Sequence, residues 1–405
     1  MPHRASVLAG FLLLASPALA QNLPDGAAKS TVATTCSACH GLERITHAGH
    51  NRAQWDTVVH MMVNLGAQVP PNKFASVVDY LAKNFPPHAQ PAGVTVAGPV
   101  KVTIQEWSVP TPGSRPHDPL YAPDGMVWYT GQMASVLGRF DPRTHTFKEF
   151  HLPDGSGPHG LIADHDGNIW YTANFAAYIG KLDPKTGKVT QYPMPDAAAK
   201  DPHTLLLAPN GMIYFTVQNA NMAGRLDPKT GAIKLVTSPT PRSNPYGMVI
   251  DSHGAPWFVE FGSNKIARMD PDTLAIREFP LPDAAARPRR VAITPDDVIW
   301  YSDYARGYLG RLDPKTGKVT EWPSPGGAKS QPYGITAIGD VIWYSESNTD
   351  PNTLVRFDTK TSKFQTWTIP SGGGVVRNMV HTPDGNLWLA CSGVNRIAFV
   401  QVAKN

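Results

Sequence analysis

One unit occurs seven times after residue 115: a step such as Arg-Pro-His or Asn-Pro-Tyr, an apolar run, a turn like Pro-Asp-Gly, a Trp-Tyr-Thr strand, a Gly-Arg-Leu-Asp-Pro strand, a turn and a closing strand. Aligned on the residue after the step, the units begin at His117, His159, His203, Tyr246, Arg289, Tyr333 and Arg377, separated by 42, 44, 43, 43, 44 and 44 residues. Four short strands per period of this length are the pattern of a β-propeller blade. The fold class expected is therefore an all-β seven-bladed β-propeller over residues 101–405, and the 35 Gly and 39 Pro suit its many turns.

The first and last strands of this region look out of place. KVTIQEWSVP, at 101–110, reads like the closing strand KVTEWPSP at 318–325, yet it precedes the first unit, while the seventh unit stops after NRIAFVQVAKN. Residues 101–110 are expected to supply the outer strand of blade seven, so that the ring closes and no sheet edge is left open.

In a propeller the first strand of each blade lines the central channel, and the antiparallel second strand returns to the same end. The marker residues then form one ring at the mouth, and a second ring ends the Trp-Tyr strands at Gly131, Ala173, Val217, Glu260, Asp303, Glu346 and Cys391. His117, His159 and His203 are expected to converge there with Glu260, Asp303 and Glu346, beside Arg289 and Arg377. Such a funnel suits acid-base catalysis, a divalent metal or an anionic group. The candidate catalytic residues are the three histidines.

The N-terminal part has a different character. Residues 1–20 carry Arg4, the apolar run SVLAGFLLLA and a small-residue site ending at Ala20, the pattern of a secretory signal too short to span a bilayer. A periplasmic or secreted protein without a membrane span follows as the expectation. CSACH at 36–40 is the c-type haem attachment pattern, with Cys36 and Cys39 as thioether positions and His40 as axial ligand. A helix is expected over 52–65, where Trp55, Val58, Val59 and Met62 share one face. Met62 is the expected second axial ligand, with Met61, His60, His47 and His50 as alternatives. Residues 86–100, rich in Pro and Ala, read as a linker. A formal net charge of +4 with no clustered basic run gives no support to a nucleic-acid partner.

Two resemblances bear on this reading. Residues 21–85, through CSACH and QWDTVVHMMVNLGA, resemble a compact all-α class I cytochrome c. Residues 101–402, through PHGLIADHDGNIWYT, NKIARMDP and SQPYGITAIGDVIWYSE, resemble the virginiamycin B lyase (streptogramin B lyase) family of seven-bladed propellers. That resemblance implies elimination at the ester of a cyclic depsipeptide, with a magnesium ion and a general-base histidine. The family's set is a Pro-His step in one blade, Glu-Pro-His in the next and a Glu after that blade's aromatic strand, in the last two blades. Here those blades offer Tyr333, Arg377 and Cys391. The nearest match is in blades two and three, where His159 would contact substrate, Asp201 and Gln218 would face the metal and His203 would be the base.

The leading expectation is an exported haem oxidoreductase, its propeller binding or oxidising a small substrate while the cytochrome domain exchanges electrons with a redox partner protein. The alternatives are a streptogramin-type C–O lyase with an accessory haem domain, and a partner-binding propeller beside an electron-transfer cytochrome.

Overall fold

The computed structural model describes residues 23–89 and 91–403; the secretory signal read in the sequence lies outside the described residues. The chain packs as two compact units. One takes in the chain up to Trp55 together with Ala67–His88, and the other Asp56–Gly66 with the chain from Ala89 onward. No helix among the described residues is long and apolar enough to cross a membrane.

Among the described residues four α-helices lie in the N-terminal region: α1 (Lys29–Cys36), α2 (Glu43–Thr46), α3 (Arg52–Asn64) and α4 (Phe74–Asn84). α4 is amphipathic, since Val77, Val78 and Leu81 are buried, and they join Val32, Ile45 and Trp55 among the buried apolar side chains of the first unit. The Trp55 indole N–H donates to the Phe85 carbonyl at 2.9 Å. The unit division assigns Asp56–Gly66, most of α3, to the second unit, and the first unit otherwise ends at His88. Met61 and Met62 are both half-buried, so burial does not separate them as the helix-face argument expected.

The second unit is the expected propeller. It has seven four-stranded antiparallel sheets, six of them in chain order. In the seventh, Val102–Ser108 pairs with Arg396–Val402 in an unbroken register from Val102 opposite Val402 to Ser108 opposite Arg396. The early closing strand is thus the outer strand of blade seven.

The repeated aromatic residues explain why six of the seven blades are written alike; blade three has Tyr214 at the Trp position and no aromatic on its outer strand, Ile233–Thr237. Trp128, Trp170, Trp257, Trp300 and Trp343, on second strands, each pack against an aromatic of their own outer strand, with ring centroids 5.1–5.6 Å apart. Blade seven obeys the same rule only because Trp107, from the N-terminal strand, lies 5.7 Å from Trp388.

The second half of the expected linker packs on the propeller. The Val96 and Val94 backbone bonds to Thr366, and Val100 to the Gln365 amide, so this stretch runs along the outer strand of blade six, Lys363–Thr368.

Candidate active site at the channel mouth

Each inner strand starts at its step and bulges there. The pairing with the second strand is broken between Pro116 and Pro119, Pro158 and Leu161, Pro202 and Leu205, Pro245 and Met248, Pro288 and Arg290, Pro332 and Ile335, and Val376 and Met379. A bulge re-aims the side chains inside it, and the marker residues are the ones released. A hydroxyl then fixes them. Thr130 donates to the His159 carbonyl at 2.8 Å, Thr172 to that of His203 at 2.6 Å and Thr216 to that of Tyr246 at 2.8 Å. Ser302 does the same for Tyr333, and Ser345 donates to the carbonyl of Val376, one place before Arg377. The third letter of the Trp-Tyr-Thr motif thus ties five of the blades to the next at the site, Val259 and Ala390 standing there in blades four and seven; the sequence shows the recurrence but not this role. Inner strands also approach closely: a Cβ on Gly160 would stand 2.8 Å from the His203 carbonyl oxygen.

The three histidines converge as expected. His117 and His159 have ring centroids 3.7 Å apart, His159 and His203 3.6 Å, and His203 and Tyr246 3.9 Å. The imidazoles are 2% exposed, and burial first, then the surrounding arginines and neighbouring imidazoles, holds all three well below the ordinary histidine value. They are neutral near pH 7. The His117 Nδ1–H donates to Asp118 at 2.9 Å, which leaves Nε2 bare; His159 Nδ1 is buried without a partner.

Opposite the column stand cations. The Arg289 guanidinium lies 4.0 Å from the Tyr333 ring centroid, 4.2 Å from Tyr304 and 4.8 Å from Phe261. The Tyr246 and Tyr333 hydroxyls are 2.5 Å apart. Burial alone would raise the Tyr333 phenol, but Arg289, Arg377 and Arg290 overcome it and bring it to about 8. Arg115 is pushed down to about 10, by burial and then by Arg377. Below the ring, Asp118 meets Arg290 at 2.6 Å, and beyond this pair the channel opens into a cavity of about 330 Å³ that reaches His381. Neither Asp118 nor Arg290 was singled out from sequence. Both stand one place after the markers, where blades two, four and six carry Gly160, Gly247 and Gly334.

The expected acidic half of the funnel does not join the histidines. Glu260 binds Ser238 and Ser263, Glu346 binds Ser324 and the Gly326 N–H, and Asp303 binds Arg306 and the Arg287 N–H. Each ends a second strand directly opposite its step residue, Pro245, Pro332 or Pro288, and is held by loop groups. Ser238 and Ser324 follow the outer strands of the preceding blades, so Glu260 and Glu346 act as struts between blades. Asp201 accepts the Asn219 N–H at 2.7 Å through Oδ2, while Oδ1 is buried without a partner. Burial raises its carboxyl. Gln218 is half-buried on the same loop.

His117, Asp118 and His159 offer three ligand atoms within 4.8 Å of one another, a buried group that could hold a divalent ion. The two-carboxylate arrangement that the resemblance implies for magnesium does not fit. It needs an acid before the step and another shortly after the second strand. The pairs present are Asp201 with Gln218, Asn244 with Glu260, Arg287 with Asp303 and Gln331 with Glu346. Among the described residues no blade carries both acids.

Residues 92–326, more than half of the chain, match the virginiamycin B lyase family, and the match stops before blades six and seven. No curated protein matches. Among solved structures the chain is similar to a streptogramin B lyase, at 28% identity and TM-score 0.68 over 75% of this chain and 98% of that one. It is also similar to the virginiamycin B lyase of Staphylococcus aureus, at 25% identity and TM-score 0.68 over 74% and 99%. A catalytically inactive variant of the Staphylococcus aureus enzyme with quinupristin gives 25% identity and TM-score 0.66 over the same shares. These relatives are lyases, and the match overturns the expectation, drawn from the fused haem motif, that an oxidoreductase is favoured.

Proposed function

The chain belongs to the virginiamycin B lyase family, and from that premise we propose that its propeller cleaves a C–O bond by elimination at the histidine column. An imidazole takes the proton from carbon beside an activating carbonyl, the new C=C bond forms and the ester oxygen leaves as a carboxylate with the bonding electrons. No water is consumed. His203 is the base, His159 contacts substrate and His117, oriented by Asp118, completes the column.

The observation that carries this reading is the buried column of three imidazoles, His117, His159 and His203, with successive ring centroids 3.7 and 3.6 Å apart. A general base must be unprotonated at working pH, and burial beside guanidiniums keeps these so. The test is quinupristin or a similar cyclic ester incubated with the full chain. Elimination yields a linear product of unchanged mass with a new unsaturated chromophore; a product heavier by one water would refute the proposal.

For the N-terminal region the proposed group is covalent haem c, an accessory to the lyase. Cys36 and Cys39 are free thiols, and the His40 Nδ1–H donates to the Gly41 carbonyl at 2.9 Å. That bond leaves Nε2 as the metal-facing nitrogen, as a ligating histidine requires. Met62 is the proposed second axial ligand. Bound haem would supply one-electron transfer with a redox partner protein, and a periplasmic or secreted location, supported by the signal-like residues 1–20, is part of the proposal.

A further inference from the structure

The guanidiniums at the mouth have no counter-charge. Among the described residues no carboxylate oxygen lies within 4.0 Å of a nitrogen of Arg115, Arg289 or Arg377, whereas Asp118 is taken by Arg290. Glu260 and Asp303 are committed to loop groups and Glu346 holds Ser324 and the Gly326 N–H through Oε1, its Oε2 being buried without a partner, and the imidazoles are neutral. Arg289 Nε and Arg377 Nε are buried without a partner. Arg115 has only the Gln132 amide at 3.3 Å and the Met133 sulfur at 3.8 Å. A buried cation without an anionic partner is costly; tyrosine rings and a hydrogen bond to Tyr246 offset part of this at Arg289, and these three side chains are close enough that Arg377 and Arg289 each act on Arg115.

We propose that the mouth binds a carboxylate, held by Arg289 and Arg377, and that these guanidiniums stand in for a metal cation in this chain. The planar fork of each suits a carboxylate. Phe261 and Tyr304, half-buried with ring centroids 5.8 Å apart, flank Arg289 and suit an aromatic or alkyl group carried by the acid. The inference rests on the proposed lyase reading for its placement at the substrate end of the channel, and it gives the departing carboxylate of the elimination its partner.

The probes are phenylacetate, its neutral analogue phenylacetamide and inorganic phosphate, titrated calorimetrically into the full chain. Phenylacetate is expected to bind, more weakly as salt rises, and the amide not to bind. Arg377→Gln and Arg289→Gln should each weaken phenylacetate roughly tenfold or more, as loss of a charge-assisted hydrogen bond does. Arg143→Gln, on an exposed turn, should leave it unchanged. A second readout needs no variant. A bound anion beside Tyr333 disfavours phenolate, so tyrosine ionisation followed by ultraviolet absorbance should move upward from about 8 when phenylacetate is added. Equal binding of acid and amide, binding of phosphate alone, or an unmoved tyrosine titration would overturn the inference. Carboxylate binding without any elimination would keep it and remove the lyase reading; elimination without carboxylate binding would do the reverse.

Discussion

Asp118 in blade one meets Arg290 in blade five across the channel, with Nη2 to Oδ1 at 2.6 Å and Nη1 to Oδ2 at 3.3 Å. The pair is buried, and it separates the histidine column from the cavity behind it. The same carboxylate oxygen accepts from His117, so one acid both neutralises a guanidinium and orients an imidazole. Asp118→Asn keeps the shape and removes the charge. It should lower elimination on quinupristin by about tenfold or more, because His117 loses its charged orienter, while circular dichroism shows the β-signal unchanged.

Stability should fall steeply in mild acid. In the unfolded chain the three imidazoles titrate near 6.5, and in the fold they titrate well below it. The unfolded state therefore binds more protons as pH drops, and stability that is full above 6.5 is lost progressively toward the lower folded values. Each histidine contributes up to about 1.4 kcal/mol per pH unit in that window. Urea melts at pH 7.5 and 5.5 measure it, and the triple substitution to Gln should flatten the dependence.

His203→Ala and His159→Ala should each reduce elimination about a hundredfold or more with the melting profile retained. His253→Ala and His165→Ala, on exposed turns, are the controls. His145 is unsuitable although it too lies on a turn, since its ring stands 5.2 Å from Trp107 and 6.1 Å from Phe140.

Asp303 should prove structural. Its carboxylate is fully buried and meets Arg306 Nε at 2.6 Å. Arg306→Ala leaves that charge unpaired and should cost about 3 kcal/mol or more, read as a lowered urea midpoint, with less effect on turnover in the surviving folded protein than His203→Ala.

The haem proposal predicts that denatured protein from cells able to mature cytochromes keeps its haem. Cys36→Ala with Cys39→Ala should abolish the covalent haem stain, and a double variant that still stains would refute the assignment.

The blade count, the histidine column and the outer strand of blade seven could all be read from the sequence because each rests on spacing, and spacing survives where residue identity changes. The direction of side chains could not. Glu260, Asp303 and Glu346 occupy one alignment column and were expected at the mouth, but strand alternation and the bulge on the partner strand turn them into neighbouring loops. Arg290 was passed over for the opposite reason. Its neighbour Arg289 filled the marker position, and nothing local marks the distant Asp118 as its partner. Met62 was chosen over Met61 from helix periodicity, yet both are half-buried.

The ladder between Val102–Ser108 and Arg396–Val402 joins residues about as far apart as the propeller sequence allows. Contacts of such separation bear the full entropy of loop closure before they gain anything. Blades one to six can assemble as the chain lengthens, but the seventh has no outer strand of its own until the two ends meet. Folding of this domain should therefore finish with one slow docking step, and a chain arrested a few residues short of Val402 would wait there with its opening strand unpaired.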